Sequence, residues 1–181
     1  MAELSNFAAA LLDEAKRFFA KAESTHDSAG KAAFLHAALL IGFASFEAHI
    51  NAIAEEFLTR GDLNAHERGL LAEHDVELAD GEFKENKRLK IHRLEDRVLF
   101  LCRRFSKKPI DRASSYWGNF LDASKLRNGL THPKDSSPNI QEAAVKKALT
   151  SMIDVLNHMC LGIYKKKLPA YNRGLSSKLD F

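Results

Sequence analysis

Apolar residues recur every three or four positions along most of this chain, with polar residues between them, which is the spacing of helices that bury one face. Phe7, Leu11, Phe18 and Ala22 form such a stripe over about residues 3–24. Phe34, Ala38, Ile41, Ala48 and Ala52 form another over 28–59, which Asp27 or Ser28 can cap and Gly61 follows. A short helix near 64–73 comes next. Ile91, Leu94, Val98, Leu101 and Phe105 predict a helix over 88–106 with its basic residues on the far side, ended by Lys107, Lys108 and Pro109. Phe120, Ala123 and Leu126 mark a helix over 118–132, and Ala144, Ala148, Met152, Val155, Met159 and Ile163 mark a last one over 139–167. The prolines at 109, 133, 138 and 169 fall where these patterns stop or have not begun. Residues 75–87 hold no sustained period and read as a polar surface excursion, and the residues after Pro169 read as a loosely held tail.

Composition supports helix over strand. Valine occurs only at 76, 98, 145 and 155, whereas alanine, leucine, glutamate and lysine abound. The expected fold class is all-α, an antiparallel bundle of about five main helices. A chain of 181 residues suits one domain, here 1–168, with a tail over 169–181. The hydrophobic and charged fractions, 45% and 28%, are those of ordinary soluble proteins. No apolar run reaches the roughly 20 residues of a membrane span. Glu3, Asp13 and Glu14 break the layout of a secretion signal, so a cytoplasmic protein without a membrane partner is expected. Cys102 and Cys160 lie in apolar stripes, where a thiol serves as a small hydrophobe. A net charge of +3 is too small to announce a nucleic-acid binder and leaves the matter to local clusters.

The chemistry concentrates in Leu126-Arg127-Asn128-Gly129-Leu130-Thr131-His132-Pro133-Lys134. An arginine followed four to six residues later by histidine also occurs at Arg60 and His66, Arg68 and His74, and Arg88 and His92, so spacing alone decides nothing. The first two pairs sit beside Gly61 and Gly69 and read as solvated charge; the third opens a helix on its basic side. Arg127 and His132 differ because they follow an apolar helical pattern that Pro133 closes. On an ideal helix Asn128 and His132 share a face, while Arg127 and His132 stand about 140° apart. Pro133 biases His132 away from α geometry, and a helix C-terminus favours the imidazolium form. Tyr116 and Trp117 beside Gly118 form either a stacking site or a buried anchor. Only Glu23 and His26 fit a Glu-x-x-His spacing, and zinc-protease, phosphate-loop and Gly-x-Ser-x-Gly motifs do not occur.

Arg127 to His132 resembles the arginine, polar residue and histidine signature of HEPN domains, compact helical bundles that include many prokaryotic RNA-cleaving toxins and defence proteins. Upstream, Ser45-Phe46-Glu47-Ala48-His49-Ile50-Asn51 looks like the glutamate-containing segment of several HEPN groups, in the right order. The likeness spans roughly Leu4 to Leu168 in helix pattern, but its specific motifs occupy only these two segments.

The resemblance implies a metal-independent endoribonuclease without cofactor, possessed by a toxin or phage-defence effector. Arg127 would hold the scissile phosphate, Asn128 would orient it, and His132 would move the proton of the ribose 2′-hydroxyl, which DNA lacks. It further implies a homodimer in which two copies of the motif face each other, and an antitoxin or other protein partner. If their helices adjoin, Glu47 braces Arg127 and Asn51 adds a hydrogen bond; each is otherwise a wet or structural polar group, as is His49. HEPN proteins controlled by a nucleotidyltransferase often carry a tyrosine two residues after the histidine. Lys134 stands there instead, either adding charge near the phosphate or serving as an ordinary exposed lysine. Arg103, Arg104, Lys107 and Lys108, and also Lys165 to Lys167, either attract RNA or are the cations that helix C-termini gather. Two other readings remain: a non-catalytic HEPN-like module that binds nucleotide or a partner, and a helical interaction protein in which the motif is coincidence.

Overall fold

The computed structural model describes residues 2–133 and 139–181. Among them the chain is mostly helical, as its periodicity predicts: α1 (Ala2–Ser24), α2 (Ser28–Leu58), α3 (Ala65–Ala72), β1 (His74–Ala79), β2 (Glu82–Leu89), α4 (Leu94–Phe105), α5 (Ser115–Thr131) and α6 (Glu142–Tyr164). Local chemistry starts two of these. The Asp27 carboxylate accepts from Gly30 N at 2.5 Å and caps α2. Asn64 and Glu67 form a reciprocal capping box on α3, at 2.9 and 3.0 Å.

The core lies where α2 meets α5 and α6, with Phe46, Phe120, Leu149, Met152 and Leu156 fully buried and the Phe46 and Phe120 rings 4.7 Å apart. Gly42 permits this closeness: a Cβ there would come within 2.6 Å of Leu149 Cδ2. By length and composition alone α2 is apolar enough to cross a membrane, with an 18-residue stretch at a mean hydropathy of 1.5, a test that core helices also pass. Its apolar residues, on most of its circumference, face α1, α5 and α6.

Several expectations need correction. The buried face of α1 is Ala8, Leu12, Ala15, Phe19 and Ala22, one position round from the predicted stripe, and Phe7 is 57% exposed. The polar excursion is an antiparallel hairpin packed on α3, with Leu78 opposite Phe83. Asp80 and Gly81 turn it, both at positive φ (55° and 82°), the requirement of a tight primed hairpin turn. Consequently the helix expected over 88–106 begins only at Leu94, and Ile91 is 80% exposed. Arg97, expected on the wet side, is 3% exposed. Trp117 is a buried anchor, its ring 5.4 Å from Phe120. The tail is docked: Arg173 Nη1 donates to Asp13 Oδ1 at 3.1 Å, Ser177 Oγ donates to the Asp13 carbonyl at 2.7 Å, and Phe181 meets the Phe18 ring at 5.6 Å. A short 3₁₀ turn at Tyr171–Arg173 lies within it.

Candidate functional site

The packing of α5 on α2 brings together the two segments singled out in the sequence. Arg127 Nη2 donates to Glu47 Oε1 at 3.2 Å across 80 residues of chain. The same guanidinium lies over the Phe43 ring, 5.1 Å from its centroid, so an aromatic face and a carboxylate fix its direction together.

Asn51, one turn beyond Glu47, serves a different arginine. Its Oδ1 accepts from Arg97 Nη1 at 2.8 Å. Arg97 also donates to the Leu71 carbonyl at 3.1 Å and pairs with Glu73 at 3.2 Å. Burial pulls the Arg97 pKa below its ordinary value, and the Glu73 and Glu47 carboxylates pull it back. Glu73 ends α3 in the left-handed conformation, at φ 55°, and its carbonyl accepts from Lys90 N at 2.8 Å. That bond pins the exit of β2, so that the following residues, Ile91, His92 and Arg93, reach the start of α4 beside Arg97.

A cavity of about 490 Å3 results, with Glu47, Asn51, His92, Arg97, Ser124 and Arg127 among its walls. Asn128 also lines it. His132 does not: it is exposed at the end of α5, with its backbone N donating to Asn128 O at 2.9 Å. Its φ of −133° and ψ of 62° are non-helical, as the following proline requires. Within one chain, then, the structure gathers Arg127, Asn128, Glu47 and Asn51 and leaves His132 outside their cavity. Lys134 lies outside the described residues.

The basic run at the end of α4 stands apart from this cavity. Arg103, Lys107 and Lys108 are exposed, while Arg104 is held by Glu67 at 3.0 Å and Asp62 at 2.9 Å. Of the first two other arginine–histidine pairs, both arginines and one histidine have structural partners. Arg60 binds Asp62 at 2.8 Å, Arg68 donates to the Leu58 and Arg60 carbonyls at 3.1 and 3.0 Å, and His74 binds Glu85 at 2.5 Å. Arg68 thereby satisfies orphan carbonyls at the end of α2.

Sequence reasoning missed His92, Arg97 and Ser124. Arg97 had a signal, since it sits among Leu94, Val98 and Leu101 at spacings that place it on the apolar stripe. His92 was obscured by extending that helix through the hairpin.

A second cavity, of about 500 Å3, lies among α1, α2, α6 and the tail. Leu12, Ile53, Leu156 and Cys160 give it apolar walls, and Lys166, Lys167 and Lys178 stand among its polar residues. Several of its other polar groups are partnered: Asp13 with Arg173 at 3.1 Å, Tyr164 with Glu56 at 2.7 Å, and His49 Nδ1 with the Ser45 carbonyl at 2.8 Å. Burial pushes the Cys160 thiol up to about 11, which keeps it protonated and unreactive near neutrality.

Set against known protein families, curated proteins and solved structures, the chain has no match.

Proposed function

We propose that this protein is a metal-independent endoribonuclease of HEPN type, acting as a toxin or phage-defence effector. The observation that supports this reading is the Arg127–Glu47 contact, which joins the only two segments that resemble the family. A guanidinium so oriented, with Asn128 beside it, is suited to hold a phosphodiester through charge-assisted hydrogen bonds. His132 takes the proton of the ribose 2′-hydroxyl; that oxygen bonds to the adjacent phosphorus as the P–O5′ bond breaks. The products are a 2′,3′-cyclic phosphate and a 5′-hydroxyl end, the leaving oxygen gaining a proton. Because His132 lies outside the Arg127 cavity of its own chain, the reading requires a pair of chains in which one copy's His132 serves the other's Arg127.

The test is incubation of the purified protein with mixed RNAs in EDTA, with the product ends identified. Cleavage should fall by about 10²–10³ in Arg127→Ala, and comparably in His132→Ala. No cleavage of any RNA, or full activity in His132→Ala, removes the reading.

The exposed position of His132 also favours a second reading, a non-catalytic module that binds nucleotide or a protein partner. Its mark is RNA or nucleotide binding without turnover, unaffected by His132→Ala.

A further inference from the structure

We propose that the cavity at the start of α4 is a receptor for one phosphodiester group, held by His92, Arg97 and Ser124 together with Arg127. Its choice of ligand rests on the RNA-cleaving reading; its geometry does not.

Six buried side-chain polar atoms lack a hydrogen-bond partner among the described residues. Four of them, His92 Nε2, Arg97 Nε, Ser124 Oγ and Arg127 Nε, belong to residues lining this one cavity. Buried polar groups are nearly always paired, so such a concentration marks a place where a partner from outside the chain is missing. Arg97 and Ser124 are only 3% and 9% exposed, which makes these groups part of a built interior rather than a wet surface. The two arginine nitrogens can only donate, the serine hydroxyl donates readily, and the imidazole nitrogen donates when protonated. The missing partner is therefore rich in acceptors.

Two further features select its charge. Arg93, Leu94 and Glu95 line the cavity and form the N-terminus of α4, which has no side-chain cap. A helix start of this kind favours an oxyanion. The three arginines of the cavity each face one glutamate, Arg127 with Glu47 at 3.2 Å, Arg97 with Glu73 at 3.2 Å and Arg93 with Glu95 at 2.5 Å. The arginines and glutamates of these walls thus balance, and the unmatched donors stand in addition to them. A phosphodiester supplies several acceptor oxygens with a single negative charge, whereas a dianionic monoester brings twice the charge into a site whose cations are already paired. His92 thus contacts the phosphate from within the chain.

The probe is a 2′-deoxy dinucleoside monophosphate, which has a single phosphodiester and no 2′-hydroxyl to react. Calorimetry and the His92 imidazole resonances should show saturable binding by the full chain. His92→Gln and Ser124→Ala should each weaken it at least about threefold, a modest share of a charge-assisted bond, whereas Cys160→Ala, in the other cavity, should leave it within about twofold. The unphosphorylated nucleoside should not bind at the same concentration. Absence of saturable binding, equal binding of the nucleoside, or wild-type affinity in both His92→Gln and Ser124→Ala overturns the proposal, the cavity then holding only water. Dinucleotide binding without RNA cleavage by the wild type would reject the ribonuclease reading and leave this one standing.

Discussion

Two cavities of nearly equal size, about 490 and 500 Å3, are built on opposite sides of the same helix. Glu47 and Asn51 of α2 face one, and His49 and Ile53, each two residues on and so about 200° round the axis, face the other. The first is polar, and four of its lining residues carry buried polar atoms without partners among the described residues; the second is apolar, and none of its lining residues does, although the buried Lys16 Nζ, close enough to Asp13 and Arg173 to feel their charges, lacks one. Volume does not separate them, and hydrogen-bond completeness does. An interior that has satisfied its polar groups is finished as a packed structure, whereas one that leaves arginine, serine and histidine atoms unmet carries a cost in stability that a ligand can remove.

The contrast can be broken most directly by deleting one arginine from each side. Arg97→Ala strands Glu73 and Asn51 beside a buried void, so urea denaturation should show a loss of about 3 kcal/mol. Arg173→Ala also strands a carboxylate, Asp13, but the arginine it removes is 31% exposed and leaves room for water, so the loss should be smaller, about 1–2 kcal/mol. Equal losses would mean that the two cavities do not differ in how they hold charge.

A smaller effect sharpens the functional side. Glu47→Gln keeps the shape of the brace on Arg127 but removes its charge, and RNA cleavage should fall about tenfold with stability changed by less than about 1 kcal/mol. Cys160→Ala, in the apolar cavity, should leave cleavage within about twofold, since its buried thiol touches no proposed chemistry. A Glu47→Gln protein that is destabilised yet fully active would make Glu47 a structural group only.

The smallest effect concerns pH. Burial holds the His49 imidazole below its ordinary value of about 6.5, partly opposed by its bond to the Ser45 carbonyl. As pH falls, the unfolded chain therefore binds this proton before the folded one does. The His49 contribution is complete above about pH 6.5 and declines as pH drops from there toward the folded value. In denaturation midpoints across that interval, His49→Gln should flatten the decline. An unchanged slope would place His49 in ordinary contact with water.

Much of this arrangement was legible locally. Among the described residues the apolar spacings located five of the helices, α4 with its start placed too early, and Asp27 capped its helix as its residue type allows. Pro133 drew His132 out of helical geometry as expected. The hairpin carried a signal too, since Asp80-Gly81 between Leu78 and Phe83 marks a tight turn, but its mostly polar strands show no sustained alternation and so read as an excursion. Arg97 was misplaced because periodicity fixes a stripe more reliably than the rotation of a helix to within one position, as the shifted face of α1 also demonstrates.

Helices, caps and the turn depend on residues within about four positions of one another, so the order of amino acids was sufficient to specify them. The meeting of Arg127 with Glu47, the transfer of Asn51 to Arg97, the entry of His92 and the exclusion of His132 depend on how whole faces of α2, α4 and α5 pack. Those faces join residues tens of positions apart, and their relative rotation is settled by the close fit of side chains such as Phe46, Phe120 and Leu149 around Gly42. No local preference carries that information, because the free energy that selects it arises only when the distant surfaces are in contact.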